Sequence, residues 1–114
     1  MSTTKFLYLY RSPEAAPQKA PSPEEMQAMF AQWNAWKSKF NDEIVDFGDG
    51  LKPGGVVIKG SSVTDGPFIE AKEVMGGFSI VAVSSLARAI EIAKECPIHH
   101  TPGASIEIRE MAGF

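Results

Sequence analysis

Residues 4–10 carry two interleaved apolar sets. Phe6, Tyr8 and Tyr10 fall on one side of an extended chain, Leu7 and Leu9 on the other, because side chains along a strand point alternately to opposite faces. The aromatic content predicts a strand over Thr4–Tyr10. Two apolar faces predict a central strand, covered on both sides. A loop follows from Ser12 to Ser22, marked by Pro13, Pro17 and Pro21. The pattern then changes period. Met26, Met29, Trp33, Trp36 and Phe40 recur at steps of three and four, which predicts one helix from Pro23 to about Phe40 with a single apolar stripe. Ser22 can cap it, Pro23 suits the first helical position, and Glu24 and Glu25 face the positive end of the helix dipole.

The middle of the chain is broken into short pieces. Glu43–Phe47 and Val56–Ile58 read as short strands, separated by the turn chemistry of Gly48-Asp49-Gly50 and Pro53-Gly54-Gly55. Phe68–Lys72 can extend, and Gly77–Val83 is a strand, with Gly76-Gly77 suited to a bulge or a sharp bend. Ser84 or Ser85 caps a second helix that ends near Cys96, with Leu86, Ala89, Ile90 and Ala93 as its buried stripe and Pro97 as its stop. His99–Gly103 is a loop. Ala104–Glu110 closes the chain as a strand alternating Ile106 and Ile108 with Ser105, Glu107 and Arg109.

The order β-α-β-β-α-β predicts an α+β, ferredoxin-like domain, with helices gathered on one face of an antiparallel sheet. The other sheet face needs a cover. It would carry either Leu7, Leu9, Val81 and Val83 or the aromatic set Phe6, Tyr8, Tyr10 and Phe78. An apolar patch of that size on a monomer usually marks an interface. A symmetric homodimer with sheets face to face is the simplest cover.

Length and composition narrow the options. The 114 residues suit one domain spanning 1–114, and 44 % hydrophobic content supplies a modest core. The single Cys96 excludes an intramolecular disulfide and fits a reducing compartment. With a net charge of −3 and scattered Lys and Arg, the chain lacks the basic face that nucleic-acid binding requires. No apolar run approaches the roughly 20 residues that span a bilayer, and residues 6–10 are too short for a signal peptide. The expected location is the cytoplasm, with no nucleic-acid or membrane partner. There is no Gly-x-Gly-x-x-Gly and no phosphate loop, so no redox or nucleotide cofactor is expected.

Candidate chemistry concentrates in Asp65-Gly66-Pro67-Phe68-Ile69-Glu70-Ala71-Lys72-Glu73, followed by Gly76-Gly77-Phe78. Asp-Gly-Pro is a strong turn signal. Asp65, Glu70 and Glu73 are the first candidates for acid–base work, since neighbouring carboxylates in a cleft can be driven apart in pKa. Glu70 and Lys72 share one face of an extended segment and Glu73 takes the other, so Asp65 with Glu70 is the more plausible catalytic pair. The same residues also serve a structural reading, in which Asp65 bonds the turn backbone, the two glutamates pair with Lys72 or Arg109, and Phe68 plugs a hydrophobic gap. His99 or His100 can act as a base near neutrality. With Cys96 they do not complete a zinc site, which wants four ligands, and no metal is expected. Trp33 and Trp36 can either pack in the core stripe or line a pocket. The core role suits Trp33, and the stripe's edge suits Trp36. Arg109 can bind an anion or pair across the sheet.

The nine-residue run resembles the signature of the DGPF proteins, a branch of the YCII-related family. The resemblance extends to Phe6–Tyr10, to the helix beginning at Pro23, and to Ser105–Arg109. It implies a ferredoxin-like domain that pairs as a dimeric α/β barrel with a ligand cleft. It also implies that Asp49 lies near that cleft. Some members of the family carry a histidine on the first helix, proposed to form a dyad with an aspartate. The segment Pro23–Phe40 contains no histidine, so that dyad does not carry over. Two functions follow. One is a small-molecule site rimmed by residues 65–73, with Asp65 and Glu70 catalytic if there is turnover, and Asp49, Glu73, His99, Arg109 and Trp36 as ligand contacts. The other is a regulatory module with a protein partner, since DGPF proteins occur beside sigma-factor-type regulators.

Overall fold

The computed structural model describes residues 2–13, 22–52, 54–66 and 73–113, with the backbone alone at 65, 66, 73 and 74. Along the chain lie β1 (Thr4–Pro13), α1 (Pro23–Lys39), β2 (Ile44–Asp46), β3 (Gly55–Lys59), β4 (Ser62–Gly66), β5 (Glu73–Val83), α2 (Leu86–Lys94), a short 3-10 turn (Pro97–His100) and β6 (Ser105–Glu110). Four strands form one sheet in the order β2-β5-β1-β6. Its three ladders are all antiparallel. Strands β3 and β4 pair only with each other. Set that ribbon aside and the remaining elements are β-α-β-β-α-β, the ferredoxin-like α+β order expected from the sequence. The ribbon is inserted between the second and third strands of that order.

Local signals explain the boundaries. Ser22 Oγ accepts the Glu25 amide at 3.1 Å and Pro23 opens α1. Lys37 and Lys39 in the last turn complement the acids of the first. Ser85, rather than Ser84, caps α2, accepting the Arg88 amide at 3.2 Å. The β1–β5 ladder pairs Tyr10 with Gly77 and then Arg11 with Met75, so Gly76 is the extra residue of a bulge.

Register fixes which side chains share a face. Phe6 opposes Val81 and Tyr8 opposes Ser79, so the aromatic set of β1 and the valines of β5 lie together beneath the helices. The two alternative face sets drawn from the sequence are thereby corrected. Val81 and Val83 join Phe6, Tyr8 and Tyr10 in the core. Phe78 lies opposite Leu9, and Leu7 opposite Ile80, on the helix-free face. Pairing by alternation within one strand carries no information about which neighbour's face it meets. That depends on register.

The core gathers Phe6, Tyr8, Tyr10, Trp36, Phe40, Ile44, Val81, Val83, Ala89, Ile92, Ala93 and Cys96. Both helix stripes differ from the periodic reading. On α1, only Trp36 is buried, whereas Met26, Met29 and Phe30 are 42, 46 and 60 % exposed. The first half of the helix therefore overhangs the sheet. On α2, Ile92 takes the buried place with Ala89 and Ala93, while Leu86 and Ile90 face out. A helix with more apolar positions than its contact can bury leaves some of them outside.

One ion pair ties the far edge together. Arg88 on α2 donates from Nε and Nη2 to the two carboxylate oxygens of Glu43, both at 2.7 Å. The guanidinium also lies 5.5 Å from the Phe40 ring centre. The hydrogen bonds from Arg88 hold the Glu43 carboxyl below its ordinary value of 4.5, although partial burial opposes the shift. A depressed folded-state pKa stabilises above the ordinary value and is lost as pH falls through the folded one. Glu43→Gln is therefore expected to lower the Tm by a few degrees at pH 7. The difference from the parent should shrink below about pH 4. A difference that is constant from pH 7 to pH 3 would show that the pair contributes nothing.

Candidate functional site

A cavity of about 480 Å³ opens where α1 overhangs the end of the sheet. Met29, Phe30 and Trp33 of α1 form one wall. Tyr10, Phe47 and Ile98 contribute the apolar remainder, and the segments 48–50 and 76–78 reach its floor. Its size and apolar lining fall within the range of small-molecule sites. The aromatic rings are set by one another. Trp33 stands edge-on to Tyr10 at 5.3 Å between ring centres, to Trp36 at 5.7 Å and to Phe47 at 6.1 Å. Such edge-to-face contacts hold ring orientation as well as burying area.

The floor depends on glycine. Gly48 has φ +71°, and a Cβ there would lie 1.9 Å from the Phe78 carbonyl oxygen. A Cβ on Gly77 would lie 2.8 Å from the Asp49 carbonyl oxygen. Residues 47–50 thus run against β5 at backbone contact. The Phe78 amide donates to the Asp49 carbonyl at 3.2 Å, and the Leu51 amide to the Gly76 carbonyl at 2.8 Å. Two carboxylates shape this turn locally. Asp46 Oδ1 accepts the Gly48 amide at 2.8 Å, and Asp49 Oδ1 accepts the Gly50 amide at 2.7 Å.

Beneath the aromatic wall runs a buried polar chain. The Tyr10 hydroxyl donates to Ser79 Oγ at 2.7 Å, and Ser79 Oγ donates to the Phe47 carbonyl at 2.6 Å. Burial pushes the Tyr8 and Tyr10 phenols well above their ordinary value. Burial likewise pushes the Cys96 thiol up to about 12. Burial therefore favours the protonated form of all three groups.

The sequence-derived candidates are scattered. Asp49 lines the cavity, with one carboxylate oxygen engaged by its own turn. Trp36 is 4 % exposed and donates from Nε1 to the Ile92 carbonyl at 3.0 Å. The two tryptophans therefore exchange the roles expected of them: Trp36 is core and Trp33 lines the cavity. His99 lies beyond Ile98, its Nε2 2.9 Å from the Ala93 carbonyl oxygen. Arg109 is exposed on the helix-free sheet face and pairs with Glu107 at 3.2 Å. Asp65 sits in β4 opposite Val56, in a strand where a turn was expected, and Glu73 begins β5 opposite Pro13. Pro67, Phe68 and Glu70 lie outside the described residues. Phe47, Phe78 and Ile98 were missed as lining residues. Their signal was present as Phe47-Gly48 and Gly77-Phe78, two phenylalanines each beside a glycine that permits close backbone approach.

A family model described as the YCII-related domain matches residues 6–112 of the chain. No curated protein matches it.

The close approach at Gly48 is testable against a glycine of similar conformation in open space. Gly60 has φ +60° and nothing within 4 Å of a built Cβ. Gly60→Ala should cost about 1–2 kcal/mol, the penalty of a left-handed alanine. Gly48→Ala adds a backbone clash and should cost about 1 kcal/mol or more beyond that. Equal losses in chemical denaturation would remove the glycine contact as the determinant of the floor.

Proposed function

The chain belongs to the YCII-related domain family, and we propose that it binds a flat, largely apolar small molecule in the cavity under α1. The run at residues 65–73 supports its placement in the DGPF branch. The single observation that carries the binding reading is the cavity of about 480 Å³ walled by Met29, Phe30, Trp33, Tyr10 and Phe47. Aromatic edges and faces on three sides suit a planar ring, and such pockets take most of their binding free energy from excluding water. The exposed residues Asp49, Gly50 and Gly76 are the polar part of the lining that can orient a ligand.

Binding without turnover is the better supported form among the described residues. Their one carboxylate at the cavity is Asp49, whose Oδ1 is engaged by the Gly50 amide. Acid–base chemistry would need Asp65 and Glu70 to converge there. A bound compound that is turned over, with turnover lost in Asp65→Asn or Glu70→Gln, would replace the binding form by the catalytic one.

The functional unit is a homodimer in this reading. Leu7, Leu9, Phe78, Ile80 and Ala82 lie on the sheet face opposite the helices, half-buried by one another. A second copy laid face to face hides them under two-fold symmetry. Leu9→Glu is therefore expected to dissociate the dimer in sedimentation equilibrium at micromolar concentration while keeping the protomer's circular dichroism. Val81→Glu, on the fully buried face, should instead unfold the protomer, since an unpaired buried charge costs about 3–5 kcal/mol. A Leu9→Glu protein with unchanged mass sinks the sheet-face dimer.

A thermal-shift screen of aromatic and alicyclic compounds, acids included, tests the binding site. Hits should quench or shift tryptophan emission, and Trp33→Ala should weaken them about tenfold or more. Affinity that survives Trp33→Ala unchanged places the ligand elsewhere.

A further inference from the structure

Among the described residues, the charged members of the cavity lining are Arg11 and Asp49. Their charges are placed differently. Alternation along β1 puts the Arg11 side chain with Leu7 and Leu9, on the helix-free face, while Tyr10 faces the core side. There Arg11 Nη2 pairs with Glu107 at 2.8 Å, and Glu107 stands beside Leu9 in the β1–β6 register. What Arg11 gives the cavity is therefore not its charge. Asp49 is exposed and belongs to the turn that forms the floor. A carboxylate offers about four acceptor sites, and the Gly50 amide takes one of them, on Oδ1.

A bound anion needs N–H or O–H donors, or a cation, aimed at it. Those at the floor are spent. The Gly48 amide donates to Asp46 Oδ1, the Gly50 amide to Asp49 Oδ1 and the Phe78 amide to the Asp49 carbonyl. The Tyr10 hydroxyl donates away from the cavity, to Ser79. The wall has the opposite preference. Tyr10, Phe30, Trp33 and Phe47 bring four rings to one cavity, with Met29 between them. Ring faces carry negative partial charge and attract a cation lying within about 6 Å of the ring centre. The protein's own ammonium groups are found there: Lys37 Nζ lies 5.0 Å from the centre of the Phe47 ring, and Lys39 Nζ 5.4 Å from that of Phe40.

We propose that the ligand of this cavity is an organic cation, an aromatic or alicyclic ammonium whose apolar body lies against Trp33, Tyr10 and Phe47 and whose charge is shared between ring faces and the Asp49 carboxylate. The inference rests on the binding reading above and adds the sign of the charge. Methylated ammonium groups suit such a site best, because aromatic faces replace the weak hydration that they lose. Lys37 opposes this choice. It is exposed and outside the lining, but it is the cation that an acidic ligand would use.

The test uses the full-length chain and three ring bodies: benzyl, naphthylmethyl and cyclohexylmethyl. Each is carried as its trimethylammonium, tert-butyl and carboxylate compound, so that charge varies on a constant body. Affinities are read by tryptophan fluorescence and calorimetry. The ammonium compound of a body should bind about tenfold tighter than its neutral tert-butyl isostere, with the carboxylate weakest. Asp49→Asn keeps an oxygen for the Gly50 amide, and it should cut the ammonium-to-tert-butyl ratio about threefold. Circular dichroism checks that this variant is folded. In the unaltered protein, raising the ionic strength should shrink the same ratio. Equal affinities across each body, or carboxylates that bind tightest, overturn the proposal and leave the apolar site standing. A ratio that neither Asp49→Asn nor salt reduces also overturns it. Absence of binding by all of the compounds removes both readings.

Discussion

The two central strands, β1 and β5, are apolar on both faces, and two helices can cover only one of them. Most of the architecture follows from that constraint. The helix-side face takes the larger side chains, with Phe6, Tyr8, Tyr10, Val81 and Val83 all nearly inaccessible. The other face keeps leucine, isoleucine, alanine and phenylalanine, with Arg11, Glu107 and Arg109 ion-paired at its β6 side. An apolar centre with a charged margin is the arrangement on which the proposed dimer rests. The same shortage of cover appears on α1, whose first turns overhang the sheet, and on the ribbon, which among the described residues pairs with no other strand.

The polar groups inside the core are consistent with a tightly specified helix face. Tyr8 donates to the Ala89 carbonyl, Trp36 to the Ile92 carbonyl, and Tyr10 to Ser79. Two of these bonds end on carbonyls of α2, so they set where that helix lies across the sheet. A buried donor left without its acceptor costs about 1–3 kcal/mol. Sliding α2 by one residue would break both bonds at once. The aromatic residues of β1 and α1 therefore act as a register lock as well as filling volume.

Much of the fold was legible in the sequence because its signals were local. Caps at Ser22 and Ser85, the proline stop at Pro97, the bulge at Gly76 and the alternation in β1 each depend on a few adjacent residues. The site was less legible because it depends on register and overhang. Trp33 and Trp36 have the same periodic claim to the core, three residues apart on one helix. They separate only because the sheet ends beneath one of them. A turn was expected at the Asp-Gly-Pro run; the strand β4 reaches as far as Gly66, and Pro67 lies outside the described residues. The glutamate expected to act with Asp65 falls beyond the described residues, so the structure places neither side chain of that pair.

The position of the cavity follows from the glycines more than from any charged residue. At Gly48 and Gly77 the backbone of one segment occupies the space where the other's Cβ would lie, so β5 and residues 47–50 meet there only because both are glycine. That contact turns the chain after β2 across the end of β5. It carries Phe47, beside Gly48, to the cavity, whose floor reaches β5 at residues 76–78. Helix α1 then passes above with Trp33 facing down. A cleft built this way has a rigid backbone floor and an aromatic wall, and its remaining opening faces Met29 and Phe30. Substitutions in the wall reshape the cavity while the fold persists. Substitutions at the two glycines remove the floor itself, because no other residue fits the approach that makes it.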